Sequence, residues 1–173
     1  MDRKYLIGAI LVIIVIIIGC AVYLGQSHVE RADDELVAAA YSHGGEPEAG
    51  FDPILGWNGY SEPLIQSTLL KMNRNMTYRN DLATNYTISD DYKTYTVQIR
   101  EDVKFTDNTP LDAEDVAFTY NEAKKTGANL DLSNMNNATA VNPTTVQFDL
   151  NKSDSTFLDK LAYIGIVPSD SYN

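Results

Sequence analysis

"LATNYTISDDYKTYTVQIREDVKFTDNTPLDAEDVAFTYNEAKK" runs from Leu82 to Lys125 and carries strand, turn and helix signals in succession. "TYTVQI", 94–99, alternates strictly, with Tyr95, Val97 and Ile99 on one face and Thr94, Thr96 and Gln98 on the other, the pattern of a half-buried strand. Leu82 to Ser89 reads as its partner, with Ala83, Asn85 and Thr87 on one side and Tyr86 and Ile88 on the other. "DDYK" between them is a tight turn, so the two strands form a hairpin. "VKF" is a short extended piece, and in "TDNTP" Asp107 and Asn108 supply turn chemistry. Asp112 is a good N-cap with Asp115 three residues on, a variant of the capping box. Glu114 and Asp115 suit the positive end of the helix dipole, and Lys124 and Lys125 the negative end. Ala113, Val116, Ala117 and Tyr120 make its apolar face, and Gly127 ends it.

The signals on either side are of the same mixed kind. Upstream, "LVAAAYS" from Leu36 to Ser42 reads as a buried strand, followed by the loops "HGGEPEAG" and "FDPILGWNGY". Ser61 and Pro63 suit a helix start, and Leu64, Ile65, Thr68 and Leu69 fall on one helical face, so a helix is expected there. "NRNMTYRND" is a turn-rich connector. Downstream, "ANLDLSNMNN" is loop-like, Ala138 to Val141 a weak strand, and "NPT" a turn. "TVQFDL" alternates through Val146, Phe148 and Leu150. Thr156 to Ala162 reads as a short helix with Phe157, Leu158 and Leu161 facing inward, and "IGIVP" as a short strand stopped by Pro168. The expected class is a mixed α+β fold.

With 173 residues there is room for about one domain and a targeting segment. Apolar residues at 44% suffice for a packed core. The formal charge of -11 repels phosphate backbones, which argues against a nucleic-acid partner. Cys20 is the single cysteine, so there is no internal disulfide.

The N-terminus has Arg3 and Lys4, then an uncharged apolar run from Tyr5 to Leu24. At about 1.5 Å per residue a helix of that length spans roughly 30 Å, the thickness of a bilayer core. Acidic residues follow, so the chain after Leu24 is expected outside the cytoplasm. Residues 1–25 are thus either an uncleaved anchor helix or a signal cut before Cys20, where "IIGC" resembles a lipobox and Cys20 would be lipidated. Residues 26–35 read as a tether.

No catalytic pattern emerges. His28 and His43 are the only histidines, too few for a metal site of convergent ligands, and no phosphate-binding or nucleophile-elbow motif is present. No enzyme, cofactor or metal is expected. Asn75, Asn85, Asn137 and Asn151 each begin an Asn-x-Ser/Thr sequon, which an exported chain can carry glycosylated.

The run from Leu82 to Val116 resembles the extracytoplasmic solute-binding proteins of peptide and nickel ABC importers, family 5. The matching positions are Leu82–Ala83, Ser89–Asp91, Tyr95–Thr96, Arg100, Val103–Phe105, Asp107, Pro110–Leu111, Ala113 and Asp115–Val116. Asn108 stands where that family usually has Gly, and tolerates the same left-handed geometry. "FDPILGWNGYSEPLIQSTLLK" and "TVQFDLNKSDSTFLDKLAYIGIVP" extend the resemblance, which covers Leu36 to Asn173. It implies the N-terminal part of a type II periplasmic-binding-protein-like fold. Residues 36–70 would give the first strand, loops and helix of lobe one. Residues 71–173 would give a small accessory domain and the start of the return to lobe one, with the second lobe absent, as in a truncated product or fragment. Ligand-facing positions implied by the resemblance are Tyr41, His43, Trp57, Asn58, Tyr60 and Asn129. It also implies a peptide or nickel-chelate ligand, ABC permease and ATPase partners, and a place on the extracytoplasmic face of the membrane. The competing expectation is a cell-surface structural or interaction domain that kept the scaffold without transport.

Overall fold

The computed structural model describes Ile16 and residues 52–54, 63, 65–126 and 130–171. The chain divides into two compact units, Met1–Ala39 and Ala40–Asn173, and all described residues except Ile16 belong to the second. The anchor or signal segment with Cys20, the tether and the strand expected at Leu36 to Ser42 lie outside the described residues, apart from Ile16, which is helical. Among the described residues no helix is long and apolar enough to cross a membrane.

Two antiparallel sheets and two helices form the described part. Strands β1 (Leu70–Met72) and β2 (Tyr78–Asn80) pair from Leu70↔Asn80 to Met72↔Tyr78. Strands β3 (Ala83–Ile88), β4 (Thr94–Ile99), β5 (Met135–Asn142) and β6 (Thr145–Leu150) make a second sheet in the order β3-β4-β6-β5. Helix α1 (Ala113–Thr126) packs on β5 and β6, and helix α2 (Phe157–Leu161) follows β6.

The alternation of β4 and β6 decides where the core lies. Tyr95↔Phe148 and Val97↔Val146 are opposite pairs, so the apolar faces of both strands coincide. Tyr95, Val97, Val146 and Phe148 are fully buried there, with Val116, Tyr120 and Ala123 of α1 and Leu161 of α2. Phe148 is the centre of an aromatic group. Its ring stands edge-on to Tyr120 at 4.8 Å and 5.6 Å from Phe157, which is itself 5.0 Å from Tyr95. Both buried phenols keep a partner: Tyr120 donates to the Lys160 carbonyl at 3.2 Å and Tyr95 to that of Asp154.

Five local expectations change, the first at "ANLDLSNMNN", whose Met135 to Asn137 open β5 instead of lying in a loop. The helix expected from Ser61 is not present over 65–69, which lead directly into β1. Ile65 is 72% exposed while Thr68, Leu69 and Leu70 are buried in succession, so no single helical face exists. Pairing across the chain replaces it: the amides of Asp81 and Ala83 donate to the Leu69 carbonyl, and that of Leu82 to Thr68. The connector at 73–81 holds a strand, β2, after a turn in which Met76 adopts φ 63°. A bulge between Ala83 and Asn85 shifts the register of β3, so Ala83 is buried and joins the face of Tyr86 and Ile88. Finally, residues 164–168 belong to neither sheet, although Ile164 and Ile166 are buried.

Candidate functional site

The described unit receives its chain through 65–69 and releases it through 164–169, and the two segments touch. The Ile166 amide donates to the Ser67 carbonyl at 3.0 Å. Beside this contact lies a half-open groove of about 420 Å³. Leu82, Leu111, Val103, Phe105, Ile166 and Pro168 supply its apolar lining, with Lys104 and Asp107 as its charged groups. Val103 and Phe105 are half-buried while Lys104 between them is exposed, the alternation of an extended segment. A groove so lined suits the burial of apolar surface.

The turn that shapes one groove wall is fixed by Asp107. Its carboxylate accepts from the Thr109 amide at 2.9 Å and hydroxyl at 2.7 Å, which hold it below the usual carboxylate range. Asn108 takes φ 73° there, and the Phe105 amide donates to the Thr109 carbonyl at 2.9 Å.

Helix α1 fastens the outgoing segment. The Asp112 carboxylate accepts from the Glu114 amide at 2.8 Å and the Asp115 amide at 3.3 Å, while Asp115 accepts from the Asp112 amide at 3.0 Å. This is the expected capping box, closed in both directions. The second oxygen of the Asp115 carboxylate takes the Ser169 amide at 2.8 Å. One turn later Thr119, fully buried, donates to the Asp115 carbonyl at 2.7 Å and accepts from the Val167 amide at 3.2 Å.

Other carboxylates do similar work. Asp91 accepts from the Ser89 hydroxyl at 2.7 Å and the Lys93 amide at 3.2 Å inside the β3–β4 turn, where Tyr92 has φ 56°. Asp102 takes a bidentate contact from the Arg100 guanidinium, 2.9 Å for each bond. Among the described residues no group of three or more His, Cys, Asp or Glu side chains is placed to hold a metal.

The ligand-facing candidates Tyr41, His43, Trp57, Asn58, Tyr60 and Asn129 all lie outside the described residues. The sequon residues Asn75, Asn85, Asn137 and Asn151 are described, and all four are exposed.

Residues 77–173 match the sequence profile of the bacterial extracellular solute-binding proteins, family 5, middle region. The chain belongs to this family. The glutathione-binding protein GsiB of Escherichia coli K12 is 31% identical over 153 residues, which is 84% of this chain and 29% of GsiB. The crystal structure of NikZ from Campylobacter jejuni in complex with Ni(L-His) superposes with a TM-score of 0.61 at 26% identity, covering 73% of this chain and 27% of NikZ. NikA from Brucella suis in complex with Fe(III)-EDTA gives 0.61 and 26%, covering 71% and 27%. The chain therefore spans less than a third of the length of these relatives. The residues that carried the family resemblance now have local physical roles: turn locks at Asp91 and Asp107, a core ring at Tyr95, and the clamp at Asp115.

Proposed function

We propose that this chain acts as part of the substrate-binding component of an ABC importer, on the extracytoplasmic side of the membrane. Its cargo is a small peptide or a nickel chelate, and it delivers that cargo to a permease driven by a separate ATPase. The observation that carries this reading is the family 5 match over residues 77–173. GsiB is named for glutathione, a short peptide, and NikZ is seen with a nickel–histidine chelate, so both cargo classes occur among the relatives. In this reading the described unit is scaffold: Asp91, Asp107, Asp112 and Asp115 are engaged in turns and caps, and the rings of Tyr95, Tyr120, Phe148 and Phe157 fill its core. Cargo contacts fall to Tyr41, His43, Trp57, Asn58, Tyr60 and Asn129. Residues 1–25 hold the chain to the membrane by a helix or by a lipid on Cys20.

The test is thermal unfolding of the full chain in detergent, alone and with glutathione, dipeptides or nickel–histidine. A ligand present at about 100 times its dissociation constant stabilises the native state by roughly 2.7 kcal/mol. A raised midpoint with one of these supports the reading and selects the cargo. A cooperative transition that none of them shifts favours the alternative, a surface domain that keeps the scaffold without transport.

A further inference from the structure

The four sequons differ in what their middle residue does. In Asn85-Tyr86-Thr87 the middle residue is half-buried on the inner face of β3. In Asn137-Ala138-Thr139 it is Ala138, 3% exposed beneath α1, whose Asn121 amide nitrogen donates to the Ala138 carbonyl at 2.8 Å. Neither tripeptide can leave the surface without breaking the sheet. In Asn151-Lys152-Ser153 all three residues are exposed, but Asn134 holds the backbone. It accepts the Asn151 amide at 2.8 Å on its carbonyl and the Lys152 amide at 2.9 Å on its side chain, and it donates to the Lys152 carbonyl at 3.0 Å.

Asn75-Met76-Thr77 is tied only locally: the Met76 amide donates to the Asn73 carbonyl at 2.9 Å and the Asn73 amide to the Thr77 carbonyl at 2.8 Å, both within one turn, whereas Asn134 ties Asn151 and Lys152 to a distant part of the chain. This tripeptide forms the tip of the β1–β2 turn, Arg74 to Thr77 are all exposed, and Met76 is 77% exposed. The Asn75 side-chain oxygen accepts from the Thr77 hydroxyl at 2.8 Å and from its amide at 3.4 Å. Those bonds hold the carboxamide oxygen back against the turn on an exposed residue.

We propose that Asn75 is the acceptor of an N-linked glycan. The inference rests on the export reading above, because the sugar donor and its transferase must meet the chain on the outer side. The donor is a lipid-linked sugar phosphate. A bond forms from Asn75 Nδ2 to the anomeric carbon and the bond from that carbon to the phosphate oxygen breaks. The lipid phosphate leaves with the electron pair, and Nδ2 gives up one proton to a base of the transferase. Thr77 is the positioning residue, since its hydroxyl sets the carboxamide.

The experiment takes the full chain from its own cells, digests it and reads the sequon peptides by mass spectrometry. The expected result is a sugar mass on the peptide carrying Asn75, less on Asn151, and none on Asn85 or Asn137. Thr77→Ala should abolish the sugar at Asn75 and Thr77→Ser should retain it at reduced occupancy, with melting curves of both variants to establish that they fold. If Thr77→Ala does not fold, the Thr77→Ser occupancy decides. Protease treatment of intact cells locates the chain independently. An accessible chain with Asn75 bare, or with sugar on Asn85 or Asn137 instead, overturns this inference alone. A chain shielded inside the cell overturns the export reading and this inference with it.

Discussion

Gly165 is a residue whose absent side chain the fold requires. A Cβ placed there would stand 2.6 Å from Cβ of Gln66 and 3.1 Å from Cβ of Pro53. Gln66 cannot relieve the first contact by rotating its side chain, because a Cβ is fixed to its backbone. Nor can the segments part freely. One residue on, Ile166 donates to Ser67, and separation would expose Ile164 and Ile166, at 2% and 5% exposure now. Gly165→Ala is therefore expected to cost about 1–3 kcal/mol, as overpacking does in a close-packed site. Urea denaturation should show a lower midpoint at unchanged slope. A variant as stable as the parent would mean that the incoming and outgoing segments separate easily. The sequence gives no hint of this role, since Pro53, Gln66 and Gly165 meet only in the folded chain.

At the scale of elements, the N-terminus of α1 both starts a helix and ties down the outgoing chain. Asp112 caps only its own helix, so Asp112→Ala should cost about 1 kcal/mol. Asp115→Ala removes the reciprocal cap bond and leaves the Ser169 amide without its acceptor, which should cost about 2 kcal/mol or more. Hydrogen exchange separates the two effects: Ser169 should exchange faster in Asp115→Ala and stay protected in Asp112→Ala. Equal losses and equal protection in both variants would show that the bond to Ser169 contributes nothing. The cap and the apolar face of α1 were legible because every partner lies within a few residues. The bond to Ser169 was not, since it joins positions far apart in the chain. The same contrast explains the strands. The β3–β4 hairpin shows in its alternation, whereas β5 carries bulges at Met135/Asn137 and Ala140/Asn142 that break the period. The spacing of Leu64, Ile65, Thr68 and Leu69 fits a helix, yet backbone pairing of 68–69 with 81–83 overrides it.

For the whole molecule, the apolar groove was hidden for a similar reason: its walls come from 65–67, 103–107 and 166–168, brought together only by folding. The cargo-facing candidates came from family resemblance, not from local chemistry, and no periodicity marks them. What the sequence does show is acidity, a net charge of -11, and the structure shows how some of it is used. Asp91, Asp102, Asp107 and Asp131 are held below the ordinary carboxylate value by hydrogen bonds from Ser89, Arg100, Thr109 and Ser133 respectively. At Asp154 partial burial pushes the carboxyl up, but bonds from Thr156 and from Lys160, at 3.1 Å, outweigh it and leave it lowered. A carboxyl lowered by folding binds fewer protons folded than unfolded through that window. Its stabilisation is thus complete above the unfolded value, near pH 4, and is lost as pH falls through the folded values. Self-repulsion among the excess carboxylates acts the other way, since it is strongest at neutral pH and screened by salt. The melting midpoint should therefore be highest near about pH 5, where repulsion has begun to ease and the turn locks remain ionised, and should fall below about pH 4. Added salt should raise the midpoint at pH 7 and do less at pH 5. Asp154→Asn should shrink the loss on the acid side, because one of the protonating groups is gone. A midpoint that keeps rising down to pH 3 would show that repulsion outweighs the turn locks throughout, and that the carboxylates in these turns are no more than solvated charge.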